Sequence, residues 1–206
     1  MQHLVFDIET IPQTRLSEVQ EKKKAEKVEK SDHWKDNPIK EMSLDPWFGR
    51  IITIGLFYPE RNVYKSFTLE NERMLLQQFW EEIYNFDGTF VSYNGLAFDV
   101  PFIKIRSMVN NIVGPLNKNF LQTRRFQDFP HFDVAQHASD WDSRNRTSLE
   151  MACDQTGISS PKSGNVNADS VHTAYLEGRL SDISEYCEKD LNATYELYNK
   201  VRRFRV

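Results

Sequence analysis

Cysteine is scarce in this chain of 206 residues, which has only Cys153 and Cys187. Their spacing fits neither a metal-binding cysteine motif nor a disulfide framework. Disulfides persist in oxidising compartments and are rare in the cytosol, so this usage favours a reducing, cytoplasmic environment. The sequence therefore argues against disulfide-stapled and cysteine-ligated zinc scaffolds.

Long apolar runs are also missing. No stretch approaches the roughly 20 consecutive apolar residues of a membrane-spanning helix. The N-terminus has no basic region followed by an apolar segment, as a secretory signal would have. With 39% hydrophobic and 27% charged residues, the composition is that of a soluble globular protein. We expect no membrane association and one domain over residues 1–206, since this length is short for two well-buried domains.

The chain has no excess of positive charge, and its formal net charge is −4. This argues mildly against a protein that coats nucleic acid without specificity. Two divalent cations held by four carboxylates would cancel that charge, however. Basic residues also cluster locally, at Lys118 to Arg125 and at Arg202, Arg203 and Arg205. Net charge alone therefore does not decide the partner.

Two carboxylates alternate in the first ten residues, within Leu4-Val5-Phe6-Asp7-Ile8-Glu9-Thr10. Successive side chains on a strand point to opposite faces, so Asp7 and Glu9 share one face. Two neighbouring anions repel, and a cation between them relieves the repulsion. The pair suggests a divalent metal site, although Asp-x-Glu is also common on solvated strand faces.

Two further segments offer carboxylates. Asp99 stands where a strand and a glycine-containing turn lead into a helix, and helix N-terminal N–H groups help to keep such a group ionised; a plain N-cap role is the alternative. In the last predicted helix, Tyr186 and Asp190 are four residues apart and so share a face. That spacing lets Asp190 hold a metal while the Tyr186 hydroxyl bonds a water. A tyrosine at the core edge beside a surface aspartate is the alternative.

The hydrophobic pattern predicts a mixed α/β domain, a few central strands covered by helices. A charged, helical arm without a strong apolar stripe is expected at residues 13–45, inserted after the first strand. It is either a lid that touches substrate or a solvated insertion. The other predicted elements are strands at Gln2–Asp7, Arg50–Phe57, Asn62–Leu69, Thr89–Tyr93 and His131–Val134, and helices at Asn71–Phe86, Asp99–Val113, Thr147–Gln155, Val171–Glu177 and Ser181–Arg203.

Three motifs, taken in order, resemble those of the DEDDy 3′–5′ exonucleases: Asp-Ile-Glu-Thr from Asp7, Asn-x-x-x-Phe-Asp from Asn94, and Tyr-x-x-x-Asp from Tyr186. The chain particularly resembles the proofreading exonuclease domain of family B DNA polymerases and the stand-alone bacterial proteins similar to it. Phe48-Gly49-Arg50-Ile51 and Ser160-Pro161-Lys162 add to this likeness, which spans nearly the whole chain.

The resemblance implies an RNase H-like fold, a mixed sheet flanked by helices, and hydrolysis of single-stranded nucleic acid from its 3′ end. It implies DNA before RNA as substrate, nucleoside 5′-monophosphates as products and a two-metal mechanism. Two Mg²⁺ or Mn²⁺ ions would be held by the carboxylates, and one ion together with Tyr186 would position and activate the attacking water. The residues carried over as catalytic are Asp7, Glu9, Asp99, Tyr186 and Asp190, the four acids among them being the metal ligands.

The same resemblance implies a pocket for the terminal nucleotide. Thr10 would bond it and Ile11 would wedge against it, while Asn94 and Phe98 would line the pocket, Phe98 by stacking. Three alternatives stay open: a module that binds nucleic acid ends without cutting, an oligonucleotidase for very short substrates, and an interaction subunit that docks through Ser17 to Lys30.

Two weaker features complete the sequence. His131, Asp133 and His137 lie close enough to suggest another metal site, although core or structural roles are the favoured interpretation. Lys162 is a candidate phosphate contact, with a solvated loop lysine as the alternative.

Overall fold

A five-stranded sheet forms the centre of the molecule. The computed structural model describes residues 2–159 and 166–204, so the late-loop motif Ser160 to Lys162 and Arg205 lie outside the described residues. In the sheet the strands lie in the order β3-β2-β1-β4-β5, with β1 in the middle. The strands are β1 (His3–Pro12), β2 (Gly49–Tyr58), β3 (Val63–Thr68), β4 (Thr89–Ser92) and β5 (His131–Asp133).

The sheet is mixed, as the sequence predicts. Strand β1 pairs antiparallel with β2, and β2 antiparallel with β3. On its other side β1 pairs parallel with β4, and β4 parallel with β5. The carboxyl ends of β1, β4 and β5 therefore point towards one edge of the sheet.

Helices cover both faces of this sheet. Within the described residues they are α1 (Glu18–Lys30), α2 (Asp32–Asp36), α3 (Pro38–Leu44), α4 (Glu72–Ile83), α5 (Asp99–Val109), α6 (Val134–Ala138), α7 (Leu149–Thr156), α8 (Val171–Leu176) and α9 (Leu180–Val201), with 3-10 turns at Ser143–Asn145 and Arg202–Phe204. No helix among these is both long and apolar enough to cross a membrane.

Alternation along β1 divides the core between the two faces. Leu4, Phe6 and Ile8 are buried against α4 and α5. Val5 lies on the other face, in a cluster with Leu191 and other residues of α9. Asp7 and Glu9 follow Val5 in the period of two and so lie on the α9 face.

Gly55 allows α9 to approach the sheet closely at the level of Asp7. It stands opposite Asp7 in the β1–β2 register. A Cβ atom at Gly55 would lie 2.5 Å from Cys187 Sγ and 3.0 Å from Leu191 Cδ1. A larger residue here would push α9 away, so this glycine sets the distance between the acids of β1 and those of α9.

Strand β1 is longer than predicted, because it continues past Asp7 to Pro12. Its pairing with β2 extends to Pro12 opposite Gly49, with an irregularity between Glu9 and Thr10. Both acids of the Asp-x-Glu pair therefore lie inside a paired strand.

The 13–45 segment is helical but only partly exposed. Helix α1 has no buried residue, and Ser17 and Gln20 form a capping box at its start. Trp34 of α2 and Met42 of α3 instead pack with Phe48 in a small apolar cluster. This half of the segment is attached to the main sheet and contributes a wall to the site.

Candidate active site

Asp7 and Glu9 form the floor of the site. Side-chain oxygens of these two residues and Cys187 Sγ all lie within 4.8 Å of one another. Glu9 is buried, with 7% of its surface exposed. A carboxylate pair this close, with Glu9 buried and Asp7 half-buried, favours a cation that balances its charge.

Helix α9 brings Tyr186 and Asp190 over this floor. Both belong to Leu180–Val201 and, four residues apart, lie one helical turn from each other. They line the same cavity of about 500 Å³ as Asp7 and Glu9. Four of the five predicted catalytic residues thus meet around one space.

Asp99 approaches from the opposite side of β1. It begins α5, and its Oδ1 accepts a hydrogen bond of 3.1 Å from the backbone N–H of Ile8. Only 3% of its surface is exposed. Ile8 lies between Asp7 and Glu9, so this bond fixes Asp99 to the strand that carries both acids.

The site is strongly anionic, with Glu9 and Asp99 buried and Asp7 and Asp190 half-buried. Burial raises the pKa of Asp7 well above its ordinary value, and the charges of Asp99 and Asp190 add to the rise. Burial likewise raises the pKa of Glu9, followed by the charges of Asp7, Asp190 and Asp99.

The carboxyl of Asp99 behaves in the same way. Burial raises its pKa to about 7, against the lowering effect of backbone hydrogen bonds, and the charges of Asp133 and Asp190 contribute to the rise. The four acids therefore repel one another electrostatically, and ionising all of them together is costly unless a cation is bound.

Tyr186 remains a neutral phenol in this environment. Burial raises its pKa, and the charges of Asp190, Glu9 and Asp7 raise it further. A phenol that keeps its proton can donate a hydrogen bond but is a poor general base.

The donor set fits hard divalent cations. Carboxylate oxygens are the ligands that Mg²⁺ and Mn²⁺ prefer, whereas a thiolate would select softer metals. Cys187 Sγ lies 3.7 Å from Asp7 Oδ2, but burial, followed by the charge of Asp7, raises the pKa of its thiol. The protonated thiol is a poor ligand, which leaves an all-oxygen site.

Two of the predicted nucleotide contacts line the cavity. Thr10 and Phe98 are both in its wall. The Thr10 hydroxyl donates a hydrogen bond of 2.7 Å to the carbonyl of Ser43, so its oxygen is held in place by α3. Phe98 is half-buried beside Phe102, with ring centroids 5.4 Å apart.

Ile11 does not meet the cavity, contrary to expectation. It is fully buried in a cluster with Ile183 and Tyr186. The alternation that places Asp7 and Glu9 beneath α9 carries Ile11 beneath it as well, where Tyr186 covers it. Ile11 is therefore a core residue packed beside Tyr186, and the structure does not bring it to the cavity wall where the wedge against the nucleotide is predicted.

Asn94 also lies outside the wall of this cavity. It adopts a left-handed backbone conformation with φ 63° in the turn after β4. Its Oδ1 accepts a hydrogen bond of 3.1 Å from Arg146 Nη1. The Asn94 side chain is thus engaged with Arg146.

Within the cluster of His131, Asp133 and His137, the first two side chains make structural contacts. Both oxygens of Asp133 are used, accepting from the backbone N–H of Asn94 at 2.9 Å and of Leu96 at 3.0 Å. His131 Nε2 lies 2.8 Å from the carbonyl oxygen of Phe120. Asp133 holds the turn that leads to Asp99, so it positions that acid.

Sequence reasoning missed the side walls of the cavity. Lys40 and Ser43 of α3 form one wall, and His172 of α8 belongs to another. Lys40 Nζ lies 2.6 Å from Asp169 Oδ1, which joins the two walls. The position of the charged segment directly after the Asp-x-Glu strand is the only sequence signal that points to α3.

The mixed sheet with helices on both faces is an RNase H-like fold. Residues 46–206 match a family described as a predicted 3′–5′ exonuclease related to the exonuclease domain of PolB. The chain belongs to this family, and its enzyme class is 3′–5′ exonuclease. The predicted resemblance to the exonuclease domain of family B DNA polymerases is thereby confirmed. The matched residues include Asp99, Tyr186 and Asp190 and begin after Asp7 and Glu9.

A solved structure supports the fold assignment. The chain is similar to the family B DNA polymerase from the hyperthermophilic archaeon Pyrobaculum calidifontis, with a TM-score of 0.66 and 15% sequence identity over 98% of this chain. The chain spans 25% of that polymerase chain. No curated protein sequence matches it.

Proposed function

We propose that this protein hydrolyses single-stranded nucleic acid, DNA in preference to RNA, from the 3′ end and releases nucleoside 5′-monophosphates. The observation that carries the proposal is the gathering of Asp7, Glu9, Tyr186 and Asp190 around one cavity of about 500 Å³. This volume is within the range of small-molecule sites and fits a terminal nucleotide.

Two Mg²⁺ or Mn²⁺ ions would be held by Asp7, Glu9, Asp99 and Asp190. When bound, such ions supply an activated water and stabilise the charge of the scissile phosphate and the leaving 3′-oxygen. The raised pKa values of Asp7 and Glu9 support this proposal, because they mark a site whose full ionisation requires positive charge.

The protein's own groups would orient the reactants. Tyr186, a neutral phenol, would hydrogen-bond the attacking water, and Glu9 would help to aim it. Thr10 would contact the terminal nucleotide through its hydroxyl oxygen, and Phe98 would offer a ring for its base. Both residues line the same cavity as the acids, which supports their assignment.

We place the protein in the cytoplasm. Cys153 and Cys187 are both free and buried. This supports a reducing compartment, where neither thiol needs a disulfide partner.

The test is digestion of a 5′-labelled single strand with Mg²⁺ or Mn²⁺. Asp190→Ala should abolish cleavage, and Tyr186→Phe should reduce it by about 10²-fold or more, a typical effect of losing a group that positions a proton or water. Glu188→Ala is the matched control, since Glu188 is an exposed acid on the same helix. Unchanged activity in Asp190→Ala would contradict the mechanism.

The same material separates the alternatives. Strand binding without cleavage across several metals would favour an end-binding module. Faster hydrolysis of dinucleotides than of twenty-mers would favour an oligonucleotidase. Matched DNA and RNA strands give the sugar preference, because contacts to the 2′-hydroxyl distinguish the two. Chromatography of the products then tests for 5′-monophosphates.

A further inference from the structure

We propose that a second cavity, of about 490 Å³, binds a nucleotide of the substrate strand on the 5′ side of the one released. This inference rests on the proposed function. We call it the arginine–aromatic cavity, after the four side chains in its wall that carry the argument: Arg125, Phe126, Trp141 and Arg146.

The arginine–aromatic cavity lies beside the candidate active site. Leu96 and Ala97 belong to its wall, and the next residue, Phe98, belongs to the wall of the first cavity. Consecutive Cα atoms are about 3.8 Å apart, so one short turn separates the two spaces. A strand with its 3′ end at the acids needs to advance by only a nucleotide or two to reach the second cavity.

The sheet explains why both cavities are at the same edge. The turn with Leu96 and Ala97 follows β4, and Gln136, also in the second wall, belongs to the helix that follows β5. Strands β1, β4 and β5 run parallel. Their carboxyl ends therefore bring these segments to the edge where Asp7 and Glu9 lie.

The charge of the arginine–aromatic cavity suits a phosphate. Among the described residues, its wall has two arginines and no acid, whereas the first cavity has several acids. Arg125 is exposed and makes no ion pair within the described part of the chain. Arg146 uses Nη1 to bond Asn94, which leaves other N–H groups of a planar guanidinium for phosphate oxygens.

The aromatic pair suits a base. Phe126 is 69% exposed, and its ring centroid lies 4.9 Å from that of Trp141. Both residues have φ 63°, in the left-handed region that bulky side chains rarely adopt. An exposed ring held at the mouth of a basic cavity is the arrangement on which single-stranded bases stack without sequence preference.

The test uses the double variant Arg125→Ala, Phe126→Ala, with Arg124→Ala as the matched control. Arg124 is a neighbouring exposed arginine outside the described wall of the cavity. The substrates are the 4-nitrophenyl ester of thymidine 5′-monophosphate, which fills the first cavity only, and DNA strands of two to twenty nucleotides. We expect the variant to raise KM for the twenty-mer at least about fivefold, as the loss of a base-stacking contact does, with ester hydrolysis unchanged within twofold.

The length series sharpens this result. For the wild type, KM should fall in a step once the strand is long enough to enter the arginine–aromatic cavity, and the variant should lack that step. The same step in the variant, or an equal loss on the ester, would overturn the proposal. An effect as large in Arg124→Ala would assign the loss to general charge and would also overturn it.

A binding measurement separates this inference from the proposed function. Anisotropy of a labelled twenty-mer in EDTA reports strand affinity without cleavage. If the wild type cleaves nothing, the proposed function fails, yet at least a fivefold loss of affinity in the double variant still supports a strand-binding cavity. Thymidine 5′-monophosphate binding that the double variant abolishes would instead assign the cavity to a free nucleotide and overturn its place on the strand.

Discussion

Replacing Asp99 with asparagine should stabilise the metal-free protein at neutral and alkaline pH. The variant keeps the Oδ1 acceptor for the Ile8 N–H, now bonded at 3.1 Å, and removes one charge from a buried cluster. We expect this stabilisation because Asp99 ionises beside other acids in the folded state. That ionisation costs free energy in the folded state but not in the unfolded chain.

The size of this effect follows from the pKa of Asp99, which burial raises from 3.8 to about 7. A rise of about three units corresponds to about 4 kcal/mol. Because the folded state holds the proton of Asp99 more tightly, the contribution of Asp99 to the free energy of unfolding falls as pH rises from about 4 to about 7 and is constant above. Asp99→Asn lacks this fall, so its advantage is small near pH 4 and largest above pH 7.

Urea denaturation in EDTA at pH 4.5 and pH 8 measures the difference. Asp87→Asn is the control, because Asp87 is an exposed carboxyl remote from the cluster. Adding Mn²⁺ at pH 8 should reverse the order by stabilising the wild type alone, since ligand binding to the folded state adds to its stability. A variant that tracks the wild type at both pH values would refute the electrostatic argument.

Three further predictions concern the framework. Burial lowers the pKa of His131 to about 4. As pH falls from 6.5 to 4, the free energy of unfolding of the wild type should therefore fall by about 3 kcal/mol more than that of His131→Gln. An equal fall in both proteins, measured by urea denaturation at each pH, would contradict this. Glu72→Ala leaves Arg106, its ion-pair partner at 2.7 Å, buried without a counter-charge, and should lower the free energy of unfolding by about 3–5 kcal/mol. Replacing both residues with methionine should lower it by less, because no buried charge is then left unpaired. Gly55→Ala places a Cβ 2.5 Å from Cys187 Sγ, so it should lower the free energy of unfolding by about 1–3 kcal/mol and also reduce activity. Adding Cys187→Ala should restore part of both losses, and no restoration would show that the clash lies elsewhere.

Local periodicity is what made much of the site predictable. A strand has a period of two, so Asp7 and Glu9 had to share a face wherever that strand packed. A helix brings i and i+4 together, so Tyr186 and Asp190 had to be neighbours. Both relations hold within one element and need no knowledge of the tertiary fold, and the structure has both pairs on one cavity.

Relations between elements were not predictable in the same way. The position of Ile11 depends on which part of β1 is covered by Tyr186. The position of Asn94 depends on a left-handed turn that is fixed by the carboxylate of Asp133. Neither partner is close in sequence. The strand also ran on to Pro12 because β2 offers pairing partners down to Gly49, which the sequence of β1 alone does not reveal.

The segment before residue 46 has a structural effect that its composition conceals. Its first helix is solvated, but Trp34 and Met42 anchor the rest against Phe48. That anchor lets Ser43 accept the Thr10 hydroxyl at 2.7 Å and lets Lys40 reach Asp169 at 2.6 Å. Without α3, the acids of β1 would face an open groove with more water, and their mutual repulsion would be better screened. The charged insertion therefore makes the carboxylate cluster more enclosed, and so increases the electrostatic demand for bound cations.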